Sequence, residues 1–425
     1  MASSSKKTGG VEYSASQIAR LKNGQKLPSK AARGAGSVTR KLSMRETNKL
    51  YWADRDVNAK KIAICTVVLI VASILALCPM GAAGQYYPYS GAYALYNPLE
   101  VARAVYEHAY NAIATNTHLF DAHSNQWIAD NVPAYWAVAE RAGVVGITLV
   151  CAVLLGISGM LYQNVFRNPI AAPGMLGVGS GVSLGMMLLV ALYGSAATSM
   201  LTQRYVFCYG LGAAILVFVI VSGKKLSGKG KPFDIVSMLL IGSILSQLLG
   251  FIVSYVTLFV MDEEDYLVFY NLSQMLTVDT SLVSWLTLGI AALASIAPVM
   301  FLRRKMNALA LEEEEVRLLG INYTVLRAIA LVCGAIMILA AQIHTGMVGM
   351  VGLIAPFVAR SWFGCEFSKQ LTGTVLISAI LLVACRALTD IVPFVGEGLA
   401  IGSVVSVVAM PLFVILMARQ LRGWE

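Results

Sequence analysis

Apolar runs long enough to cross a membrane recur along this chain, and they limit its fold more than any other feature. A helix needs about 20 apolar residues to cross the hydrocarbon core of a bilayer. We identify ten such runs, at positions 62–80, 143–162, 175–194, 205–222, 235–260, 281–301, 324–342, 349–362, 371–388 and 400–418. The sequence therefore predicts an all-α polytopic membrane protein with ten transmembrane helices. The eighth run is short and glycine-rich, so we expect it to be bent or partly re-entrant.

The composition supports a membrane location. Hydrophobic residues make up 57% of the chain and charged residues 13%, whereas about 25% of residues are charged in soluble proteins. This balance excludes a disordered chain, a collagen and a secreted disulfide scaffold. The seven cysteines form no CxxC pair, and all but Cys365 lie in or at the ends of apolar runs. We therefore expect those six to be buried thiols rather than disulfide partners or metal ligands.

The positive net charge is concentrated before the first apolar run. Residues 1–61 hold 14 of the 32 Lys and Arg and 4 of the 23 acids, so their net charge is +10 and that of the remaining chain is −1. We predict a basic, mostly disordered tail over 1–61 and a transmembrane domain over 62–425. The expected partner of the tail is membrane lipid, because anionic lipid attracts each juxtamembrane Lys or Arg by about 1 kcal/mol. Its few aromatic residues argue against nucleic acid.

The loop charges favour one topology. If the tail is cytoplasmic, ten spans place most basic loop residues inside, at Arg167, 224–231, 303–305, Arg360, Lys369, Arg419 and Arg422. The acidic residues then lie outside, at 262–265, Asp390 and Glu397. This is the positive-inside asymmetry, and an odd number of spans would destroy it. We expect a multi-pass protein of the cell (inner or cytoplasmic) membrane with both termini cytoplasmic.

The segment 81–140 is predicted to be an extracytoplasmic loop. Asn97, Pro98 and Glu100 are typical of a helix start, and apolar residues follow at helical spacing, so we expect an amphipathic helix on the outer face. The loop also contains His108, His118 and His123. Their spacing does not place them on one helical face, so we predict no metal site and no cofactor.

The sequence contains no recognised catalytic motif. It has no HExxH, GxSxG or Walker A pattern, and its glycine-rich stretches lack the lysine of a phosphate-binding loop. Small residues that let helices pack closely explain those stretches better. The residues alone therefore indicate no enzymatic chemistry.

Four motifs occur in the order typical of one permease family. They are Ser158-Gly-Met-Leu-Tyr-Gln163 with Arg167-Asn-Pro-Ile-Ala-Ala-Pro-Gly-Met-Leu-Gly-Val178, then Asn307-Ala-Leu-Ala-Leu-Glu-Glu-Glu314 with Leu319-Gly320, then Gly346-Met-Val-Gly-Met-Val-Gly-Leu-Ile-Ala-Pro-Phe-Val-Ala-Arg360, and finally Gly402 to Pro411-Leu-Phe413. Over about 140–420 the chain resembles the FecCD family, the permease subunits of ABC importers for ferric siderophores, haem and cobalamin. It departs from the family at Arg141-Ala-Gly-Val144, where the family often has Arg-Leu-Pro-Arg, at Ala172 in place of Asp, and at Phe357 in place of His.

The resemblance implies a FecCD-type ABC importer permease that passes a ferric siderophore or haem-type chelate into the cytoplasm. It implies pairing with a second copy or a related permease, two ATPase subunits that hydrolyse ATP, and one extracytoplasmic substrate-binding protein. Cobalamin is the alternative cargo. An ion-coupled secondary transporter is the alternative from another class, but it needs an intramembrane carboxylate, and none lies clearly at mid-depth. A receptor or scaffold without transport is a third.

The segment 303–323 is predicted to receive the work of the ATPase. We expect a short helix over Leu311–Leu319 whose first turn carries Glu312, Glu313 and Glu314, where the helix dipole favours negative charge. Arg317 lies towards its end, and Gly320 can end it. The resemblance implies that this is the coupling helix; a solvated charge run is the alternative.

Two further sets of residues are candidates for transport roles. By resemblance, Arg141 would contact the substrate-binding protein, although a single Arg beside a span is also an ordinary interfacial anchor. Ser180, Gly181 and Ser183 in the third span are small or weakly polar, which suits a pathway for a bulky chelate. Helix packing alone is the alternative for these three residues.

Overall fold

A computed structural model of the protein describes residues 13–14, 39–40, 44–77, 132–226, 235–274, 280–311, 313–391 and 401–422. These residues fall into two units, Met1–Ile64 and Cys65–Glu425. The described part of the first unit contains a two-stranded antiparallel pairing of β1 (Tyr13–Ser14) with β2 (Thr39–Arg40). Helix α1, Met44–Leu77, begins in this unit and continues into the second.

The described part of the second unit is helical throughout. After α1 come α2 (Val132–Phe166), α3 (Val178–Tyr193), α4 (Leu201–Leu226), α5 (Ile235–Phe259), α6 (Glu263–Gln274), α7 (Leu282–Phe301), α8 (Arg303–Met306), α9 (Glu313–Leu318), α10 (Tyr323–Thr345), α11 (Met350–Phe363), α12 (Phe367–Ile391) and α13 (Ile401–Arg422). Three 3₁₀ turns connect them at Pro173–Leu176, Gly194–Thr198 and Asn307–Ala310. The all-α prediction is confirmed.

Seven described helical stretches of 20 to 25 residues are long and apolar enough to cross a bilayer. They belong to α2, α3 with its following 3₁₀ turn, α4, α5, α7, α10 and α12. Two shorter apolar helices, Met350–Phe363 and Ile401–Ile415, correspond to the eighth and tenth predicted spans. Each predicted span therefore overlaps a helix, with α1 covering the first, while the total of ten transmembrane helices stays a prediction.

Two helices begin before the apolar spans that the sequence predicted, because each continues into polar residues that hydropathy does not register. Helix α1 begins at Met44, within the predicted tail, and α2 begins at Val132, within the predicted outer loop. The stretch 44–61 contains neither Gly nor Pro. Extending an existing helix needs no new nucleus, so such a stretch can remain helical.

Helix α2 lies at the centre of the bundle. It packs against α10, α11 and α12, and 72% of the most apolar 18-residue stretch within Ala142–Phe166 is buried. Its approach to α11 is a backbone contact, because a Cβ added to Gly159 would lie 1.7 Å from the carbonyl oxygen of Gly352. Glycine pairs of this kind let transmembrane helices come close enough for dense packing.

Helix α11 is the short eighth element that the sequence predicted. Its 14 residues span about 21 Å at about 1.5 Å per residue, less than the roughly 30 Å of the hydrocarbon core. Its residues from Val351 to Ala359 are all buried, whereas Ser361 and Trp362 near its end are exposed. A helix that is apolar on all sides belongs in an interior, and α11 is enclosed by α2, α12 and α13.

Buried polar side chains link three helices at the far end of α10. The Tyr205 hydroxyl of α4 lies 2.7 Å from Ser284 Oγ of α7 and 3.2 Å from His344 Nε2 of α10. His344 Nδ1 lies 2.8 Å from the carbonyl oxygen of Ala340, which can only accept a hydrogen bond. In the neutral imidazole Nδ1 therefore donates, and Nε2 accepts from Tyr205.

The cysteines follow the sequence prediction where the structure describes them. Five are buried and Cys365 is exposed, while Cys78 lies outside the described residues; the buried five are Cys65, Cys151, Cys208, Cys333 and Cys385.

Gly159→Ala should destabilise the bundle, because the added methyl group has no room against the Gly352 carbonyl. We expect a loss of about 1–3 kcal/mol, the usual cost of overpacking, measured as a lower unfolding midpoint in detergent. Gly289→Ala is the matched control. Gly289 is an exposed glycine within α7 with nothing within 4 Å of an added Cβ, so this variant should be neutral or slightly more stable. Equal unfolding midpoints for the two variants would contradict the packing argument.

Candidate functional site

At one end of the bundle, the first motif meets both the second motif and the end of the third. This end contains the last turn of α2, the first turns of α10 and α12, and the end of α11, together with the segment 303–320 that connects α7 to α10. We call this stretch the connecting segment. It consists of α8, the 3₁₀ turn Asn307–Ala310 and the six-residue helix α9.

The residues after α2 form a compact turn. The amide of Ile170 donates to Asn168 Oδ1 at 3.0 Å, and Pro173 begins the following 3₁₀ turn, where its missing N–H costs nothing. That turn ends at Gly177, whose φ of 77° is left-handed and suits glycine. A Cβ on Gly352 would lie 2.7 Å from Pro173 Cγ, so the turn is packed directly on α11.

Arg167, the first residue after α2, binds the connecting segment. Its Nε donates to the carbonyl oxygen of Leu309 at 3.3 Å, and its Nη2 donates to that of Leu311 and, at 2.9 Å, to the hydroxyl of Tyr323. The guanidinium also lies over the Tyr323 ring, 5.6 Å from its centroid. The guanidinium of Arg327 lies 5.5 Å from the same centroid, so two cations contact one aromatic ring.

Asn307 binds the connecting segment to a second helix. Its Oδ1 accepts a hydrogen bond of 2.8 Å from the backbone amide of Phe367. Phe367 is the first residue of α12, where backbone N–H groups have no partner within the helix. Asn307 therefore acts as a cap supplied from elsewhere in the chain.

The predicted helix over Leu311–Leu319 is shorter in the structure, at Glu313–Leu318. Leu311 is not part of it, because its ψ of 160° is extended and its carbonyl accepts from Arg167 instead of closing a helical turn. Glu312 lies outside the described residues. Glu313, Glu314 and Arg317 lie in the helix as predicted, but their side chains are not described.

Gly320 ends α9 as the sequence predicted. Its φ is 71°, in the left-handed region, and the amide of Ile321 donates to the carbonyl of Val316 at 3.3 Å. This is the longer hydrogen bond of a Schellman motif, which satisfies a carbonyl at a helix end. Val316 is fully buried and Ile321 packs against the same core, so the end of α9 is held on the bundle.

Two exposed apolar side chains lie at the end of α9. Leu318 is 89% exposed and Leu319 is 61% exposed, although Val316 beneath them has no exposure. Exposed leucines beside one another at the end of a transmembrane bundle leave apolar area uncovered. Leu318 was not among the predicted site residues, although Leu318 and Leu319 are apolar neighbours in a charged segment.

The last turn of α2 also contacts α11 and α12. Gln163 Nε2 donates to the carbonyl of Leu353 at 2.9 Å, and Arg360 Nη2 donates to Asn164 Oδ1 at 2.8 Å. Asn164 Nδ2 in turn donates to Gln370 Oε1 at 3.4 Å. These bonds and those of Arg167 make this end of α2 the meeting point of α10, α11, α12 and the connecting segment.

The three pathway candidates lie on α3 but in different surroundings. A Cβ atom added to Gly181 would lie 2.8 Å from Gly212 Cα, so the absence of a side chain at this glycine allows α3 to approach α4 closely. Ser180 Oγ donates to the carbonyl of Ser246 at 3.5 Å, and Ser183 Oγ contacts Met347 Sδ at 3.2 Å. Of the three, Gly181 has the clearest packing role.

The remaining candidates are not described in full. Arg141 lies within α2, but its side chain is not described, and the amphipathic helix starting at Asn97 lies outside the described residues, as do His108, His118 and His123. Among the residues that are described, no cluster of three or more His, Cys, Asp or Glu could hold a metal ion.

Residues 110–419 match the model of the FecCD transport family. Similar curated proteins include a hemin transport system permease protein of Yersinia pestis, 29% identical over 309 residues that cover 72% of this chain and 86% of that protein. A ferric enterobactin transport system permease protein of Escherichia coli is 30% identical over 276 residues, covering 63% and 78% of the two chains. An iron chelatin transport system permease protein of Helicobacter pylori is 29% identical over 279 residues, covering 64% and 80%.

The fold has a counterpart among solved structures. An inward-facing conformation of an ABC transporter of the metal-chelate type superposes with a TM-score of 0.60 at 20% identity, covering 85% of this chain and 99% of that one. At this identity the match concerns the fold alone.

Asn307→Ala should lower the stability of the bundle by about 1 kcal/mol, the usual cost of losing a helix cap. Asn307→Asp keeps an oxygen for the Phe367 amide and should retain most of that stability. The unfolding midpoints of both variants in detergent would test the contact. If the Asp variant loses as much stability as the Ala variant, the hydrogen bond to Phe367 is not the cause.

Proposed function

Since the chain belongs to the FecCD transport family, we propose that it is the membrane permease subunit of an ABC importer, driven by ATP hydrolysis on a separate subunit. The observation that carries this proposal is the connecting segment. A permease without a nucleotide site must receive work through a contact with its ATPase. The connecting segment presents the exposed Leu318 and Leu319 at the end of α9, and Arg167 and Asn307 hold the part of the segment that precedes this helix. That combination of an apolar contact surface and firm attachment suits a coupling helix.

The charges near α9 support a cytoplasmic position for this end of the bundle. Arg303, Arg304 and Lys305 lie in α8, at the start of the connecting segment, and are exposed. Basic residues between spans favour the cytoplasmic side, where ATP is available. With this orientation both termini are cytoplasmic, and the acidic start of α6, Glu263 to Asp265, lies on the outer side.

The cargo we propose is a ferric siderophore or haem-type chelate. Hemin, ferric enterobactin and Fe(3+) dicitrate are named as the substrates of similar permeases. Such chelates arrive with the metal already bound by the carrier molecule, so the permease needs width and weak polarity rather than metal ligands. Ser180 and Ser183 remain our candidates for the pathway, and Gly181 would contribute by holding α3 against α4.

The complex would contain two permease copies, two ATPase subunits and one extracytoplasmic substrate-binding protein. Exposed apolar side chains recur along α5, and only 11% of the most apolar 18-residue stretch of this helix is buried. The helix therefore has a face for lipid or for a second permease. Arg141 is the candidate contact for the substrate-binding protein. In the transport cycle, closure of the ATPase pair on ATP would displace both connecting segments and shift the two permeases between outward- and inward-facing states.

Uptake in proteoliposomes tests this function directly. The chain, its cognate ATPase and its binding protein should take up radiolabelled ferric dicitrate or haemin only when ATP is supplied on the ATPase side. The permease alone should hydrolyse no ATP. Uptake driven by an ion gradient without the ATPase would instead establish a secondary transporter.

Glu313→Lys combined with Glu314→Lys should uncouple the ATPase. Both positions lie in the first turn of α9, and the reversal places positive charge in the proposed interface. Since juxtaposed like charges across an interface cost several kcal/mol, uptake should fall on the order of tenfold and less ATPase should co-purify. The bundle is stabilised elsewhere, by interhelical packing, so membrane insertion should be unchanged.

Glu263→Lys combined with Glu264→Lys is the matched control. These residues are exposed at the start of α6 on the proposed outer side, and the change in charge is identical. This variant should retain ATPase co-purification at the wild-type level. A wild-type uptake rate in the Glu313/Glu314 variant, with its ATPase bound as before, would show that α9 is a solvated segment.

A further inference from the structure

The first family motif and the connecting segment are joined through Arg167. Its position directly after Phe166 makes it an extension of α2, while all its hydrogen bonds described above go to residues at or after position 309. We propose that Arg167 is the positioning residue that carries displacement of the connecting segment into the second span. This inference rests on the proposed function, because it assigns a role within ATP-driven transport.

The contacts of Arg167 require its planar guanidinium. Nε and Nη2 donate to the carbonyls of Leu309 and Leu311, two residues apart in one loop, and the guanidinium carbon lies over the Tyr323 ring. A lysine ammonium is a single point of charge on a flexible stem, so it cannot donate to this set and stack at the same time. The geometry therefore depends on arginine, and positive charge alone is not sufficient.

Other attachments of the connecting segment lead to other helices. The backbone joins it to α7 at Leu302 and to α10 at Ile321, and Asn307 joins it to α12. In the described residues, the side-chain hydrogen bonds that reach the segment from the end of α2 come from Arg167. Loss of Arg167 would thus remove these side-chain hydrogen bonds to the end of α2 and leave the other attachments of the segment in place.

Helix α2 can distribute such a displacement. Its last turn donates from Gln163 to Leu353 of α11 and accepts through Asn164 from Arg360, as described above. Farther along, Gly159 contacts Gly352 through backbone alone. A shift of the end of α2 would therefore move α11 as well, since packed interiors change between discrete arrangements rather than deforming freely.

The test compares transport with hydrolysis in the assembled complex. Arg167→Gln and Arg167→Lys would be reconstituted with the ATPase and binding protein, and uptake of radiolabelled ferric dicitrate or haemin would be divided by ATP hydrolysed. We expect this ratio to fall on the order of tenfold in both variants, since neither side chain can reproduce the guanidinium contacts, while ATPase binding is kept. A purely structural role would reduce the amount of assembled complex without changing the ratio.

Arg304→Gln is the matched control, because it removes the same charge from an exposed residue of the connecting segment whose guanidinium makes no hydrogen bond among the described residues. Its ratio should equal that of the wild type. A wild-type ratio in assembled Arg167 variants would overturn the proposal.

If the Arg167 variants do not assemble, the ratio of uptake to ATP hydrolysis in the Tyr323→Phe variant tests the proposal instead. This substitution keeps the ring and removes only the hydroxyl that accepts from Arg167 at 2.9 Å. A reduced ratio in this variant supports the proposal, and an unchanged ratio overturns it. A wild-type complex without ATP-dependent uptake would instead refute the proposed function, and the role of Arg167 with it.

Discussion

A bilayer supplies little hydrophobic free energy for bringing helices together, because lipid tails are as apolar as leucine side chains. Close van der Waals packing has to replace it, and the tightest case here is the contact of Gly159 with the Gly352 carbonyl. That contact fixes α11 against α2, and the other side of Gly352 holds Pro173 of the turn after Arg167. The position of the connecting segment at the end of α2 therefore depends on glycine packing deep in the bundle.

The spans could be predicted from the sequence because the bilayer imposes a length and a composition on any helix that crosses it. The predicted run at 324–342 falls within α10 and the run at 205–222 falls within α4. Hydropathy failed at Met44 and Val132, where polar turns continue an apolar helix. The tetrad of Tyr205, Ser284, His344 and Ala340 was also missed, since it unites three helices far apart in sequence.

In the connecting segment, too, features set by neighbouring residues could be predicted, and contacts between residues far apart in sequence could not. Its helix and the role of Gly320 follow from neighbouring residues, and both were predicted. The attachment by Arg167 spans 142 residues to Leu309 and 156 to Tyr323, and that of Asn307 spans 60 to Phe367. No periodicity or capping rule relates residues at such separations in a single sequence. The motifs include Arg167, Asn307 and Leu309, but only the fold shows which residues they contact.

The backbone of Arg167 adopts a φ of 50°, and it is the one non-glycine residue with positive φ in the part of the chain that the structure describes. A left-handed conformation costs an ordinary L-residue roughly 1–2 kcal/mol, whereas glycine adopts it without penalty. Considered for backbone conformation alone, glycine is the better residue here. A redesign that relieved only this backbone strain would therefore select glycine at 167 and remove the side chain that joins α2 to the connecting segment. Backbone conformation and the proposed transport role favour different amino acids at this position.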